Sequence, residues 1–421
     1  MMVHVMVDGE HRTVSVVHPD YGCQRTVSRD HTKEMIAVRR FRFSISELSG
    51  AVADLGVMLP LVLALVTLNG VDAVSAFTVI GAAYIIAAFT YRLPIPVQPL
   101  KSLAATALAL KLTAPVITAG TYWVAAAFLL FAVTGADRLV GRLFPTPIVR
   151  GIQVGLGLLL VRSSASLIDG DWPIAVLAAA VLAVALWTRP GVAALLVILL
   201  GIVEGVLSHG WPGGRLGVQL PTWAGIPPRA AFGPGFWLLA LPQIPLSLAN
   251  SVYATRDAAE QYFGDEAKHR VTATRLLGTM SVMNVMAAAF GGVPLCHGCG
   301  GLTAHYRLGA RTGGAPLMIG VLFLAAGLAG GAALVPLAKL IPYAVLGILL
   351  VYVGVQHLLL ARDVRGAADW TVVAAVAIAA VATQNLAIGF AAGLGVRLAT
   401  AVLASPRRTA GARSQSKTQS T

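Results

Sequence analysis

The sequence predicts an all-α polytopic membrane protein of fourteen segments arranged as a seven-plus-seven inverted repeat, and three observations predict it. Of the 421 residues, 57% are hydrophobic and only 12% charged, with a mean hydropathy of +0.78, whereas a soluble domain carries about 25% charged residues. Apolar runs recur from Ile45 to Leu403, each near the roughly 17–25 residues a helix needs to cross a hydrocarbon core of about 30 Å. Two runs are too short and too interrupted by Gly and Pro to cross alone, and each falls third in its half, the mark of an internal structural repeat.

The elements follow in order. Residues 1–43 mix acids, bases and histidines without periodicity and read as a disordered cytosolic tail, with Met35 as an alternative start; no apolar h-region marks a cleavable signal. Breakers then place spans near 45–68, 72–90, 98–111, 115–135, 148–168, 173–188 and 191–208, so that 44–208 is the first repeat. Residues 209–235, rich in Gly, Pro and Trp, form a connector. The second repeat, 236–404, has spans near 236–262, 271–290, 299–310, 315–337, 341–360, 369–383 and 386–404. Residues 405–421 read as a disordered tail. The halves open alike, on "ELSGAVADLGVMLPL" and "PQIPLSLANSVYATRDAAE", and an odd number of spans per half turns one over relative to the other.

The net charge of +13 is not a nucleic-acid footprint, because the basic residues sit in tails and short loops rather than on a soluble face. They report orientation. With the N-terminus in the cytoplasm, the inner side collects Arg39, Arg40, Arg42, Arg92, Arg138, Arg142, Arg150, Arg256, Arg307, Arg311 and others, while the outer side keeps Lys111, Arg162, Arg215, Arg229 and Lys339. Both termini are therefore expected inside the inner or plasma membrane. Three cysteines, Cys23, Cys296 and Cys299, make no disulfide framework.

The broken segments carry the chemistry. Pro94, Pro96 and Pro99 forbid a continuous third helix, and Gly291, Gly292, Pro294, Gly298, Gly300 and Gly301 do the same in the tenth. Each is expected to enter as extended chain and begin a half-helix at mid-membrane, where non-helical backbone must be buried in protein or line a cavity. A helix start offers unpaired N–H groups and about half a positive charge, and two of them facing each other make an anion site that glycine lets a ligand approach closely. Gln98, Lys101 and Ser102 lie at the first start; His297, Gly298, Gly300, Gly301 and Thr303 lie at the second. An ammonium at this depth costs about 2.5–3.5 kcal/mol on insertion scales and needs a partner, which for Lys101 is either the anion or a structural pair with Asp54 or Glu47. Asp54, Glu47, Gln243 and Asn250 are the remaining polar candidates for coupling or gating.

The stretch Cys296-His297-Gly298-Cys299 also permits another reading, a membrane metal or thiol oxidoreductase. A structural zinc site wants four ligands and a redox pair wants a βαβ setting; neither is in the sequence, so the cysteines read as packing, and no metal or cofactor is expected. His297 can donate to an anion or change charge near neutral pH.

The segments "SELSGAVADLGVMLPLVLAL", "PIPVQPLKSLAATALAL", "QIPLSLANSVYAT" and "FGGVPLCHGCGGLTAHYRLGARTGG" resemble the signature blocks of the molybdate transporter family of plants, algae and prokaryotes, related to the SulP sulfate permeases. The resemblance spans residues 44–404. It implies an importer of a tetrahedral dianion rather than an enzyme, with core and gate domains moving by alternating access, the anion lying between the third and tenth helix starts. It also implies the absence of the cytosolic domain that SulP proteins usually carry, and a homodimer is the state related carriers often adopt. Sulfate is the alternative substrate, sharing shape and charge with molybdate. Within the family pattern, Cys299 stands where alanine is expected and Ala53 where glycine is expected.

Overall fold

The computed structural model describes residues 3–8, 11–16, 41–52, 55–139, 145–188, 193–211, 217–330 and 333–415. Its first part comprises a hairpin, β1 (Val3–Asp8) and β2 (His11–Val16), then α1 (Ile45–Val52), α2 (Leu55–Asn69), α3 (Ala73–Tyr91), β3 (Gln98–Pro99), α4 (Lys101–Ala109), α5 (Ala114–Thr134), α6 (Thr146–Ile168), α7 (Trp172–Thr188) and α8 (Ala193–His209). The second comprises α9 (Arg229–Phe263), α10 (Asp265–Arg270), α11 (Ala273–Phe290), β4 (Leu295–Cys296), α12 (Cys299–Arg307), α13 (Gly314–Gly330), α14 (Leu334–Lys339), α15 (Tyr343–Leu359), α16 (Ala367–Thr383) and α17 (Leu386–Gln415). Among the described residues, five helices are long and apolar enough to cross a membrane.

Local chemistry sets several boundaries. Asp72 caps α3 by accepting from the Ser75 N–H at 2.7 Å, and Arg92 ends it in the left-handed region. Thr272 caps α11 on the Arg275 N–H. Lipid gives no hydrophobic drive between helices, so close packing of small residues holds them together. A Cβ on Gly157 of α6 would lie 2.7 Å from the Gly354 carbonyl of α15, and a Cβ on Gly354 would lie 2.9 Å from that of Gly157. Gly81 and Gly320 bring α3 against α13 in the same manner.

Four expectations change. Residues 3–8 and 11–16, assigned to a disordered tail, pair antiparallel with Val3 opposite Val16 and Asp8 opposite His11; the alternating Val3, Val5 and Val7 and a glycine in the two-residue Gly9-Glu10 interval are the signal in the sequence. The connector ends earlier, because Pro228 precedes a helix that starts at Arg229. That helix contains Pro234 and widens after it into a π-helical stretch, Gly235–Ala240. The span expected over 315–337 stops at Gly330, and α14 is separate. Residues 405–415, assigned to a disordered tail, continue α17 in spite of Pro406 and Gly411.

Candidate functional site

The two short helices meet at a crossing of extended chain. β3 and β4 pair antiparallel, Gln98 opposite Cys296 and Pro99 opposite Leu295, and the Leu100 N–H donates to the Pro294 carbonyl at 2.9 Å. Because the strands are antiparallel, α4 and α12 leave the crossing in opposite directions and both N-termini point back toward it. Each has nine residues, about 13 Å of helix, too little to span a hydrocarbon core.

Proline-rich extended chain at this depth has carbonyls to satisfy, and two histidines do so. His297 Nδ1 bonds the Pro96 carbonyl at 2.9 Å and His305 Nδ1 the Pro94 carbonyl at 3.0 Å. His297 Nε2 meets Thr279 Oγ1 at 2.8 Å and the Tyr91 hydroxyl at 3.3 Å. Both ring nitrogens of His297 are thus engaged by protein, which makes it a tie between the segments where the sequence suggested an anion donor. Asn284 of α11 acts as a surrogate strand partner: its Nδ2 donates to the Leu295 carbonyl at 2.6 Å and its Oδ1 accepts from the Leu295 N–H at 2.9 Å.

At the start of α4, Gln98 and Ser102 are buried and Lys101 is half-buried. The Leu103 N–H donates to Gln243 Oε1 at 2.9 Å, and Gln243 Nε2 is held by Ser247 Oγ at 2.9 Å. Gln243 therefore reaches this start and spends one of its free N–H groups. Ser102 Oγ is buried without a hydrogen-bond partner among the described residues. No ion pair joins Lys101 to an acid among the described residues. Lys101 lies within electrostatic reach of His357 on α15, which the sequence reading passed over; its Nδ1 bonds the Val353 carbonyl at 2.8 Å.

The start of α12 is glycine. A Cβ on Gly298 would collide with Gln98 Oε1 and come within 3.6 Å of Asn250 Nδ2, so Gln98, Asn250 and Gly298 are brought together. Gly301 is buried, whereas Gly300 is exposed and a Cβ there would meet nothing within 4 Å. Thr303 bonds the Tyr262 hydroxyl at 3.1 Å. Asn250 lies in a second π-helical stretch of α9, Ser247–Ala254, a distortion that recurs at functional sites.

Glu47 lies elsewhere, its Oε1 accepting from the Arg311 and Thr312 N–H groups at 3.1 and 3.0 Å, so it anchors the loop before α13. Asp54 falls outside the described residues. Cys296 and Cys299 are buried, with Cys296 Sγ 3.7 Å from the Pro99 carbonyl. Among the described residues no group of three His, Cys, Asp or Glu side chains is placed to hold a metal.

This helical body has the fold of SLC26-type membrane transporters. It superposes on the transmembrane domain of a cyanobacterium bicarbonate transporter, BicA, with a TM-score of 0.61 at 17% identity, covering 84% of this chain and 98% of that one. It superposes equally on the murine Solute Carrier 26 member A9 anion transporter in its inward-facing state, with a TM-score of 0.62 at 14% identity over 88% and 70% of the chains. The chain belongs to the molybdate transporter family: the model described as "Molybdate transporter of MFS superfamily" matches residues 46–160 and 235–356, stretches that contain both broken segments. Similar relatives are molybdate transporter 1 of Arabidopsis thaliana, 30% identical over 84% of this chain and 87% of its own, and molybdate transporter 2 of the same plant, 29% identical over 83% and 86%. Molybdate transporter 1 of Chlamydomonas reinhardtii is 27% identical over 86% and 93%.

Proposed function

We propose that the chain is a secondary active importer of molybdate, built as a seven-plus-seven inverted repeat with core and gate domains, that holds the anion between the N-termini of α4 and α12 and works by alternating access. The observation that carries this reading is the antiparallel crossing of β3 and β4, which turns two helix starts toward one place. Together the starts supply about one unit of positive charge, and Lys101 adds another, which balances a dianion. Gln98, Lys101 and Ser102 approach the anion from one side, Gly298, Gly300, Gly301 and Thr303 from the other, with His297 fixing the crossing behind them. Asn250 and Gln243 hold the α9 wall against both starts.

The protein sits in the cell membrane with both termini cytoplasmic, as the basic loops indicate, and functions as a homodimer or as single subunits. Import against a negative-inside potential draws on a co-transported cation, a proton carried by Asp54, Glu47 or His297. Of these, His297 has the weakest support, its ring nitrogens being already bonded.

Sulfate is the second reading, favoured by the fold shared with carriers of other anions. The thiol or metal reading has less behind it, since the cysteines are buried and among the described residues no group of three His, Cys, Asp or Glu side chains is placed to hold a metal. Molybdate uptake into proteoliposomes, with sulfate in excess as competitor, tests the proposal. Uptake that survives sulfate supports a molybdate importer; uptake abolished by sulfate moves the assignment to a general oxyanion carrier, and no uptake of either anion overturns it.

A further inference from the structure

The far end of α4, opposite its Lys101 start, borders an open cavity of about 210 Å³ whose lining includes Lys111, Arg162, Ser163, Ser166 and Gln384. Liquid water occupies about 30 Å³ per molecule, so the space admits a small ion with part of its hydration shell. Its charge is one-sided: it has two cations, and none of the lining residues is acidic. Among the described residues neither Lys111 nor Arg162 forms an ion pair.

Three elements build it. Arg162, Ser163 and Ser166 follow Leu159 at helical spacing, so they form one polar face of α6, a helix otherwise apolar enough to cross a membrane. Lys111 and Gln384 follow the ends of α4 and α16 in the left-handed region, with φ of 48° and 53°. They are two of the three non-glycine residues among those described that adopt positive φ. Both end their helices as Arg92 ends α3, the Gln384 N–H bonding the Ala380 carbonyl and the Lys111 N–H that of Leu108.

A helix C-terminus would ordinarily repel an anion through its bare carbonyls. Here three of the last carbonyls have partners. Thr106, Ala107 and Leu108 accept from the Leu110, Leu112 and Lys111 N–H groups at 3.0, 2.9 and 3.2 Å, and Asn69 Nδ2 adds bonds to the Ala107 and Leu112 carbonyls at 2.9 and 2.7 Å. The helix end carries about half a negative charge, which the two formal positive charges of Lys111 and Arg162 in the lining outweigh. Arg162, Ser163, Ser166 and Gln384, half of the lining, lie outside the two stretches that match the family.

We infer that this cavity is a second oxyanion site, in which Lys111 and Arg162 hold a small tetrahedral oxyanion with hydroxyl and amide donors from Ser163 and Gln384. That the same anion serves both ends of α4 rests on the function proposed above; the existence of the second site does not. The phosphate of a lipid headgroup has the same chemistry, and the test separates the two.

The experiment uses the full-length protein in detergent carrying Lys101→Ala, so that binding at the other end of α4 does not contribute. The rate at which phenylglyoxal modifies Arg162 is followed by peptide mass spectrometry with molybdate, sulfate or chloride at matched ionic strength. Molybdate and sulfate are expected to slow modification about threefold at roughly twice the dissociation constant, chloride not at all, and Lys111→Gln to remove the protection. Equal rates in all three salts would overturn the site, and protection seen only on adding phosphatidylglycerol would assign the cavity to lipid phosphate. Because the readout is local to Arg162, protection there in a protein that imports no molybdate would leave this site standing while the function proposed above fell.

Discussion

The starts of α4 and α12 occupy related places in the chain and are furnished in opposite ways. The first is crowded with side chains: Lys101 supplies charge, Ser102 and Gln98 are buried beside it, and Gln243 takes the Leu103 N–H. The second is bare, with Gly298 packed on Gln98 and Gly300 facing open space. The difference divides the work of holding an anion. One start contributes a formal charge and a fixed polar wall; the other contributes backbone that a ligand can approach without meeting a Cβ.

Changes that erase this asymmetry are its sharpest tests. Gly300→Leu introduces bulk where no atom stands in the way, so the protein should keep its melting temperature and lose molybdate affinity about 100-fold, or roughly 2.7 kcal/mol. Retained affinity would mean that the open space beside Gly300 is not where the anion lies. Gly298→Ala should act differently, driving a methyl into Gln98 and lowering stability by about 1–3 kcal/mol as overpacking does, with weaker binding as a consequence; thermal unfolding and titration together would show both. Gln243→Ala leaves the Leu103 N–H uncapped and is expected to lower stability by about 1 kcal/mol, with a smaller effect on affinity than Gly300→Leu. Cys296→Ser and Cys299→Ser should each change transport by less than about threefold; loss of uptake in either would revive thiol chemistry at this segment.

The sequence made this asymmetry partly legible. Proline at 94, 96 and 99 and glycine at 291, 292, 298, 300 and 301 announce where helices cannot run, because those residues alter backbone geometry wherever they stand. The placement of Lys101 beside such a break was equally visible. The partners of polar side chains were not, since they depend on contacts between distant residues. Gln243 and Leu103 are 140 residues apart, and the two histidines lie 201 and 211 residues from the prolines whose carbonyls they bind. His297 shows the limit: its ring chemistry suits an anion donor, and only the fold shows both nitrogens already bonded. Asn284 carries no signal in sequence, being a single polar residue in an apolar run, and His305, beside Tyr306 and Arg307, looks like one more polar residue at a helix end. The pairing of Val3–Asp8 with His11–Val16 is hard to read for another reason, its alternating valines being short runs interrupted by Asp8, Glu10, His11 and Arg12.

The central claim is that an oxyanion bridges the cationic and the bare helix start, and equilibrium binding of molybdate to the purified protein and its Lys101→Ala variant tests it most directly. The account predicts binding by the wild-type protein and a loss of at least about 30-fold in the variant, the effect of removing one member of a buried charge pair, with an unchanged melting temperature. An unchanged dissociation constant in Lys101→Ala would contradict it.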